Sequence, residues 1–123
     1  MTATVLKKVS KAMHEMGIAY GFGVYSGDEY PYFVGEYAED TPTTEDGLQS
    51  GEFTLTGWHR GTWQELTEAK DKIEDFFDKV NGYITVDGNA VAIFYSKSTV
   101  VPTDDAELKR VEIHLDVKEW KVN

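Results

Sequence analysis

The chain has 123 residues, 41% of them hydrophobic and 13% aromatic, which is enough apolar bulk to offset the ordering entropy of one two-layer domain but not of two. With 22 acidic against 12 basic residues and a formal charge of −10, it is poorly suited to phosphate backbones or anionic membrane surfaces, which are bound by neutralising Lys and Arg side chains. There is no cysteine, so disulfides, thiolate catalysis and Cys-containing zinc sites are excluded.

Met1 to Lys8 lacks a basic region followed by an apolar run and a small-residue cleavage site, and no stretch approaches the ~18 apolar residues of a membrane helix. Cytoplasmic synthesis is therefore the expectation. From Thr4 to Met16, Val5, Val9, Ala12, Met13 and Met16 fall on one helical stripe, and Gly17 stands where a C-terminal stop belongs. Tyr20, Phe22 and Val24 then alternate with Ala19, Gly21 and Gly23, a strand with one bulky and one bare face, the bare face admitting another backbone. Ser26 to Glu29 reads as a turn, and Tyr30 to Tyr37 as a second strand that begins at Pro31. Ala38 to Gly51 has no apolar period and no basic residue, and reads as a long, mobile loop.

Glu52 to His59 alternates again as a third strand, broken at Arg60-Gly61. Thr62-Trp63-Gln64-Glu65 matches a capping box. Trp63, Leu66, Ala69, Ile73, Phe76, Phe77 and Val80 follow at helical spacing, ending at Asn81-Gly82 and predicting the face that packs on the sheet. Glu68 to Lys72 and Asp75 to Lys79 are spaced as i,i+4 pairs on the exposed side. Tyr83 to Val86 and Ala90 to Tyr95 flank Asp87-Gly88-Asn89, as a hairpin or as one bulged strand, with extended structure to Val101. After a turn at Pro102 to Asp105, Val111, Ile113, Leu115 and Val117 alternate with Arg110, Glu112, His114, Asp116 and Lys118. The expectation is a single α+β domain over residues 1–123: helix, three strands, helix, two to three strands, with a mostly antiparallel sheet and no internal repeat.

Candidate chemistry is sparse. Gly57 to Thr62 joins a strand to a helix N-terminus, where His59 and Arg60 would suit an anion, yet the segment lacks the glycine-rich length and lysine of a phosphate loop. A strand cap with a helix N-cap is the simpler reading. Glu112, His114 and Asp116 share one strand face and could ligate a metal or hold an acid/base pair; such a row is also what the solvated side of an antiparallel sheet looks like. His14 sits near the end of the first helix, where an imidazolium favours the dipole. No nucleophile elbow or His-Glu-x-x-His spacing exists. No catalytic, cofactor or metal site is assigned, and no enzymatic activity is expected.

Tyr30-Pro31-Tyr32-Phe33-Val34-Gly35-Glu36 before a polar loop, and Phe53-Thr54-Leu55-Thr56-Gly57-Trp58-His59-Arg60-Gly61 running into an amphipathic helix, resemble the small tail-terminator and tail-completion proteins of long-tailed bacteriophages and prophages. At the level of element order the resemblance spans Val5 to Lys118; the last strand departs from the pattern by ending in Trp120. It implies a subunit that forms a hexameric ring on the tail tube, stops tube growth and presents a surface to the head-tail connector. It also implies a monomer in isolation, no cofactor, no specific nucleic acid, no membrane, and a place first in the host cytoplasm and then in the virion tail. Two other classes fit the composition: an acidic inhibitor or DNA mimic that occupies a basic groove on a host enzyme, and a small ligand-binding or enzymatic domain using His59, Arg60 and Tyr32.

Overall fold

Val5, Val9, Ala12 and Met13, all essentially inaccessible to solvent, are why the chain opens as a helix: their spacing puts one apolar stripe against the sheet while Lys7, Lys8 and Lys11 face out. The computed structural model describes residues 3–40, 48–78, 83–87 and 89–120, and places this helix, α1, at Ala3–Glu15. Gly17 ends it with φ at 72°. Its N–H donates to His14 O and the Ile18 N–H to Met13 O, both at 3.0 Å, the paired bonds of a Schellman stop that only a residue comfortable at positive φ supports.

The strands are β1 (Ala19–Phe22), β2 (Tyr32–Glu39), β3 (Leu48–His59), β4 (Tyr83–Asp87), β5 (Asn89–Val101) and β6 (Lys109–Trp120), with α2 (Trp63–Phe76) between β3 and β4. They form one six-stranded sheet in the order β1-β2-β3-β6-β5-β4. Only β1 and β2 run parallel; every other neighbouring pair is antiparallel, so the α+β, mostly antiparallel expectation holds. The sheet is centred on β3 and β6, paired from Leu48↔Trp120 to His59↔Lys109. Each half of the chain runs helix then three strands, and the halves meet at this seam. The sequence carries no matching repeat, and the halves differ in that β1 joins β2 in parallel whereas β4 joins β5 in antiparallel.

Both helices lie on the same face. α1 packs against β1 and β5, and α2 against β3 and β6. Phe33, Phe53, Leu55, Ile93, Ile113 and Leu115 project from the strands into one cluster with Val9, Met13, Leu66 and Ile73. Each such side chain contributes roughly 1.5–3 kcal/mol by leaving water. Gln49 and Glu119, register partners, are the buried polar pair at one end of this layer. The bare face expected of β1 is used by the chain itself: a Cβ on Gly21 would collide with the Val24 carbonyl oxygen, so only glycine lets the chain double back there.

Several expectations need correction. Ala38 and Glu39 belong to β2 and Leu48 to Gly51 to β3, because Gly51 and Gln49 find register partners on β6. The central part of the expected loop, residues 41–47, lies outside the described residues. β2 starts at Tyr32 rather than Pro31, and the Tyr30–Pro31 peptide is cis. Helix α2 stops at Phe76, and Val80 and Lys79 lie outside the described residues. Leu66, Ala69, Ile73 and Phe77 do face the sheet, but Trp63 is 44% exposed: it occupies the first helical position, beside Val100 on the open stretch of β5, where Lys109 Nζ lies 5.9 Å from its ring centroid. The ion pairs within α2 among the described residues are those of Lys70 with Asp71 at 3.0 Å and with Glu74, its i,i+4 partner, at 3.2 Å. Lys72 instead donates to Met16 O at 3.3 Å, tying α2 to the end of α1.

Candidate functional site

The corner where β3 turns into α2 gathers the residues singled out for chemistry. His59, the last residue of β3, is 5% exposed. Its Nε2 lies 3.4 Å from Glu65 Oε1, and its ring sits 6.4 Å from that of Tyr30 between centroids. Glu65 is held from three sides: its Oε1 accepts the Thr62 N–H at 3.0 Å and lies 3.0 Å from Thr62 Oγ1, while Thr62 Oγ1 accepts the Glu65 N–H at 3.1 Å. The capping box read from the sequence is therefore formed. The Thr62 backbone donor, then His59, hold the Glu65 carboxyl below the usual range.

This geometry closes the anion site that the sequence left open. The helix N-terminus already has a carboxylate seated on it, and a phosphate would meet Glu65 rather than free N–H groups. Arg60 turns away: Nη1 meets Asp105 Oδ2 at 3.1 Å, and the hydroxyl of Tyr30 and then Asp105 hold the guanidinium charged. The Glu107 N–H, then Arg60, keep Asp105 ionised. Tyr32 stacks on Tyr25 at 4.8 Å between centroids; burial and then Tyr30 raise its phenol pKa, opposed by Arg60. The structure thus brings His59, Arg60 and Tyr32 to one corner, where Arg60 is held by Asp105 and Tyr32 stacks on Tyr25, while both ring nitrogens of His59 are buried without a hydrogen-bond partner among the described residues. Asp105 lies 45 residues from Arg60, and no spacing in the sequence marks the pair. Replacing Thr62 by Ala is expected to cost about 0.5–2 kcal/mol, and by Ser almost nothing; urea denaturation of the two variants checks this.

Beside the corner is an open cleft of about 410 Å³ between the α1 stop, Glu29 to Pro31 and α2, lined by Ile18, Tyr30, Glu65, Glu68 and Lys72 among others. Among the described residues no three of its acidic side chains group as metal ligands. On the opposite, helix-free face, His114 Nδ1 is 2.7 Å from Glu52 Oε1 and its Nε2 is 3.8 Å from Glu112 Oε1. Arg110 lies 4.9 Å above the Trp58 ring and 3.4 Å from Glu112. Glu112 and His114 are thus neighbours along β6 on an open polar face, with Glu52 of β3 the cross-strand partner of His114, and among the described residues no group of three metal-ligating side chains converges.

The sheet edges are the other prominent feature, and the sequence did not mark both. Strand β1 has β2 on one side only. Strand β4 covers β5 from Asn89 to Ile93; the Tyr95 N–H then donates to Phe77 O, and a bulge follows between Tyr95 and Lys97. Beyond it, Lys97 to Val101 has no outer strand among the described residues. Phe22 (41% exposed) lies at the β1 edge, and Val100 (60%) beside Trp63 at the β5 edge.

Neither a protein-family model nor a curated protein matches the chain.

Proposed function

We propose that this chain is a structural subunit of a phage or prophage tail, a tail-terminator or tail-completion component that caps the tail tube by ring assembly and joins it to the head. The observation that supports this reading best is that strand edges stand open towards both ends of one sheet, β1 at one end and, at the other, the Lys97 to Val101 stretch of β5 that β4 leaves uncovered, each beside exposed apolar side chains. Unlike surfaces at opposite ends of a subunit associate head to tail, and a head-to-tail contact closes into a ring when its rotation permits. The Pro-Tyr strand and the Gly-Trp-His-Arg-Gly corner before α2 add the family resemblance.

Isolated subunits are expected to be monomeric. Each edge contact alone must overcome an association cost of at least ~4 kcal/mol, and the tube end supplies the pre-positioning that lowers it. The test is deletion of this gene in a phage or inducible prophage that carries it, with particles viewed by electron microscopy. Overlong or headless tails are the expected result. Tails of normal length joined to heads would overturn the assignment.

A further inference from the structure

The outer side of β1 is a strand edge with its hydrogen-bonding groups turned out. Strand β1 has β2 as its one neighbour among the described residues, and just past it the Gly23 N–H donates to Gly35 O of β2 at 2.8 Å. A parallel strand bonds to a given neighbour at every second residue. Ala19, Gly21 and Gly23 therefore face β2, and Tyr20 and Phe22 turn their N–H and C=O groups to the open side. Neither finds a backbone partner there among the described residues.

On the helix-bearing side of this edge, α1 and β1 border an open groove of about 600 Å³. Lys7, Lys11 and His14 line it, Leu6, Tyr20 and Phe22 supply its apolar part, and no carboxylate is among its lining residues. None of the three basic side chains has an acidic partner among the described residues. Helix α1 carries Lys7, Lys8 and Lys11 against one carboxylate, Glu15, in a chain whose overall charge is −10. The positive field is thus local to this groove. Phe22 lies 6.0 Å from the Phe53 ring on one side and is exposed on the other.

We infer that the α1–β1 edge takes an extended acidic segment of a partner protein. The segment adds to β1 as an outer strand, bonds to the Tyr20 and Phe22 backbone, sets carboxylates beside Lys7 and Lys11, and seats an apolar side chain on Phe22. In strand addition the backbone supplies affinity and alternate side chains supply selection. Those side chains repeat about every 6.6–7 Å on one face of a strand, close to the rise of about 6 Å between Lys7 and Lys11 along their helix. A nucleic acid or an anionic membrane carries the charge, but not the peptide N–H and C=O groups that an open edge pairs with. Each also extends past the groove onto an acidic molecule, since the field of the lysines fades within about 8–10 Å. A short acidic strand meets both demands. The inference goes beyond the tail reading and does not rest on it, because chemistry defines the segment, whichever protein carries it.

The probe is a blocked peptide, Glu-Thr-Val-Thr-Glu, titrated at low salt into the isotope-labelled chain and followed by amide NMR. The expected result is a saturable shift confined to Tyr20, Phe22 and the Lys7 to His14 part of α1, with slowed hydrogen exchange at Tyr20 and Phe22. K7E/K11E changes two exposed side chains, and circular dichroism verifies that its fold is kept. It should weaken binding by about tenfold or more, and Lys-Thr-Val-Thr-Lys should bind K7E/K11E better than it binds the wild-type chain. The acidic peptide N-methylated along its backbone should not bind. No shift at millimolar peptide, or binding untouched by K7E/K11E or by N-methylation, would overturn the inference. Equal shifts with inorganic phosphate or with phosphatidylserine vesicles would overturn it too, by reducing the groove to an unselective anion surface. Shifts of the same amides on concentrating the chain alone would give the edge to a second copy instead.

Discussion

Truncating Phe77 to Ala is expected to lower the free energy of unfolding by about 3–5 kcal/mol, the range for deleting a fully buried aromatic ring. Phe77 is inaccessible to solvent and caps α2, its N–H donating to Ile73 O at 3.1 Å and its carbonyl accepting the Tyr95 N–H at 2.6 Å. Those backbone bonds survive the substitution, so the loss isolates the ring, which also contacts Phe76 edge-on at 5.0 Å. Against a total stability of roughly 5–15 kcal/mol for a small domain, a loss of this size removes a large share of the margin. Urea denaturation with an unchanged m-value would confirm it. A loss below about 1 kcal/mol would mean that the site collapses around the missing ring.

The sequence was most legible where one periodicity governed many residues. The stripe on α1, the Gly17 stop, the capping box at Thr62 and the alternation of β6 all reflect local geometry acting on consecutive side chains, and each appears as expected. Two kinds of feature were not legible. Leu48 to Gly51 look like loop because Gln49, Ser50 and Gly51 carry no apolar alternation, yet cross-strand partners on β6 make them strand; a sheet's interior pairing overrides local propensity. Trp63 shares the period of the α2 core but precedes the sheet's cover, so periodicity assigned it to the wrong environment. At the corner, His59 and Arg60 were recognisable as residue types, while their partners Tyr30 and Asp105 come from segments that only the fold brings near. The open stretch of β5 depends on where β4 ends and where the bulge falls, neither of which a one-dimensional pattern records.

Stability should fall steeply above pH 10, and two tyrosines should account for much of that fall. Burial, and then the carboxylates of Glu39, Glu119 and Asp40, push the Tyr37 phenol up to about 12; burial raises that of Tyr20 still further. In the unfolded chain both ionise near the ordinary value of 10. Below pH 10 the folded and unfolded states hold the same phenolic protons, and the contribution is fully present. Between pH 10 and about 12 the unfolded chain loses protons that the folded chain keeps, so unfolding becomes easier with each step in pH, and the contribution is gone once pH exceeds the folded value. A shift of one unit corresponds to about 1.4 kcal/mol, but Tyr37 is only half-buried, so solvent screening leaves about 1–2 kcal/mol from it. Lys70, held charged first by Asp71, acts in the same direction from a more exposed position. Neither the Tyr20 nor the Tyr37 hydroxyl has a hydrogen-bond partner among the described residues. Y20F/Y37F should therefore be as stable as the wild-type chain or more so at neutral pH, because it removes two buried polar atoms that make no bond. Urea denaturation of both proteins between about pH 9 and 12 checks the sign: the wild-type free energy should decline across that window, and the double variant's should decline clearly less, keeping only the shares of Lys70 and Tyr32. Parallel slopes would place the alkaline sensitivity elsewhere, and a double variant weaker at neutral pH would show that the hydroxyls are bonded after all.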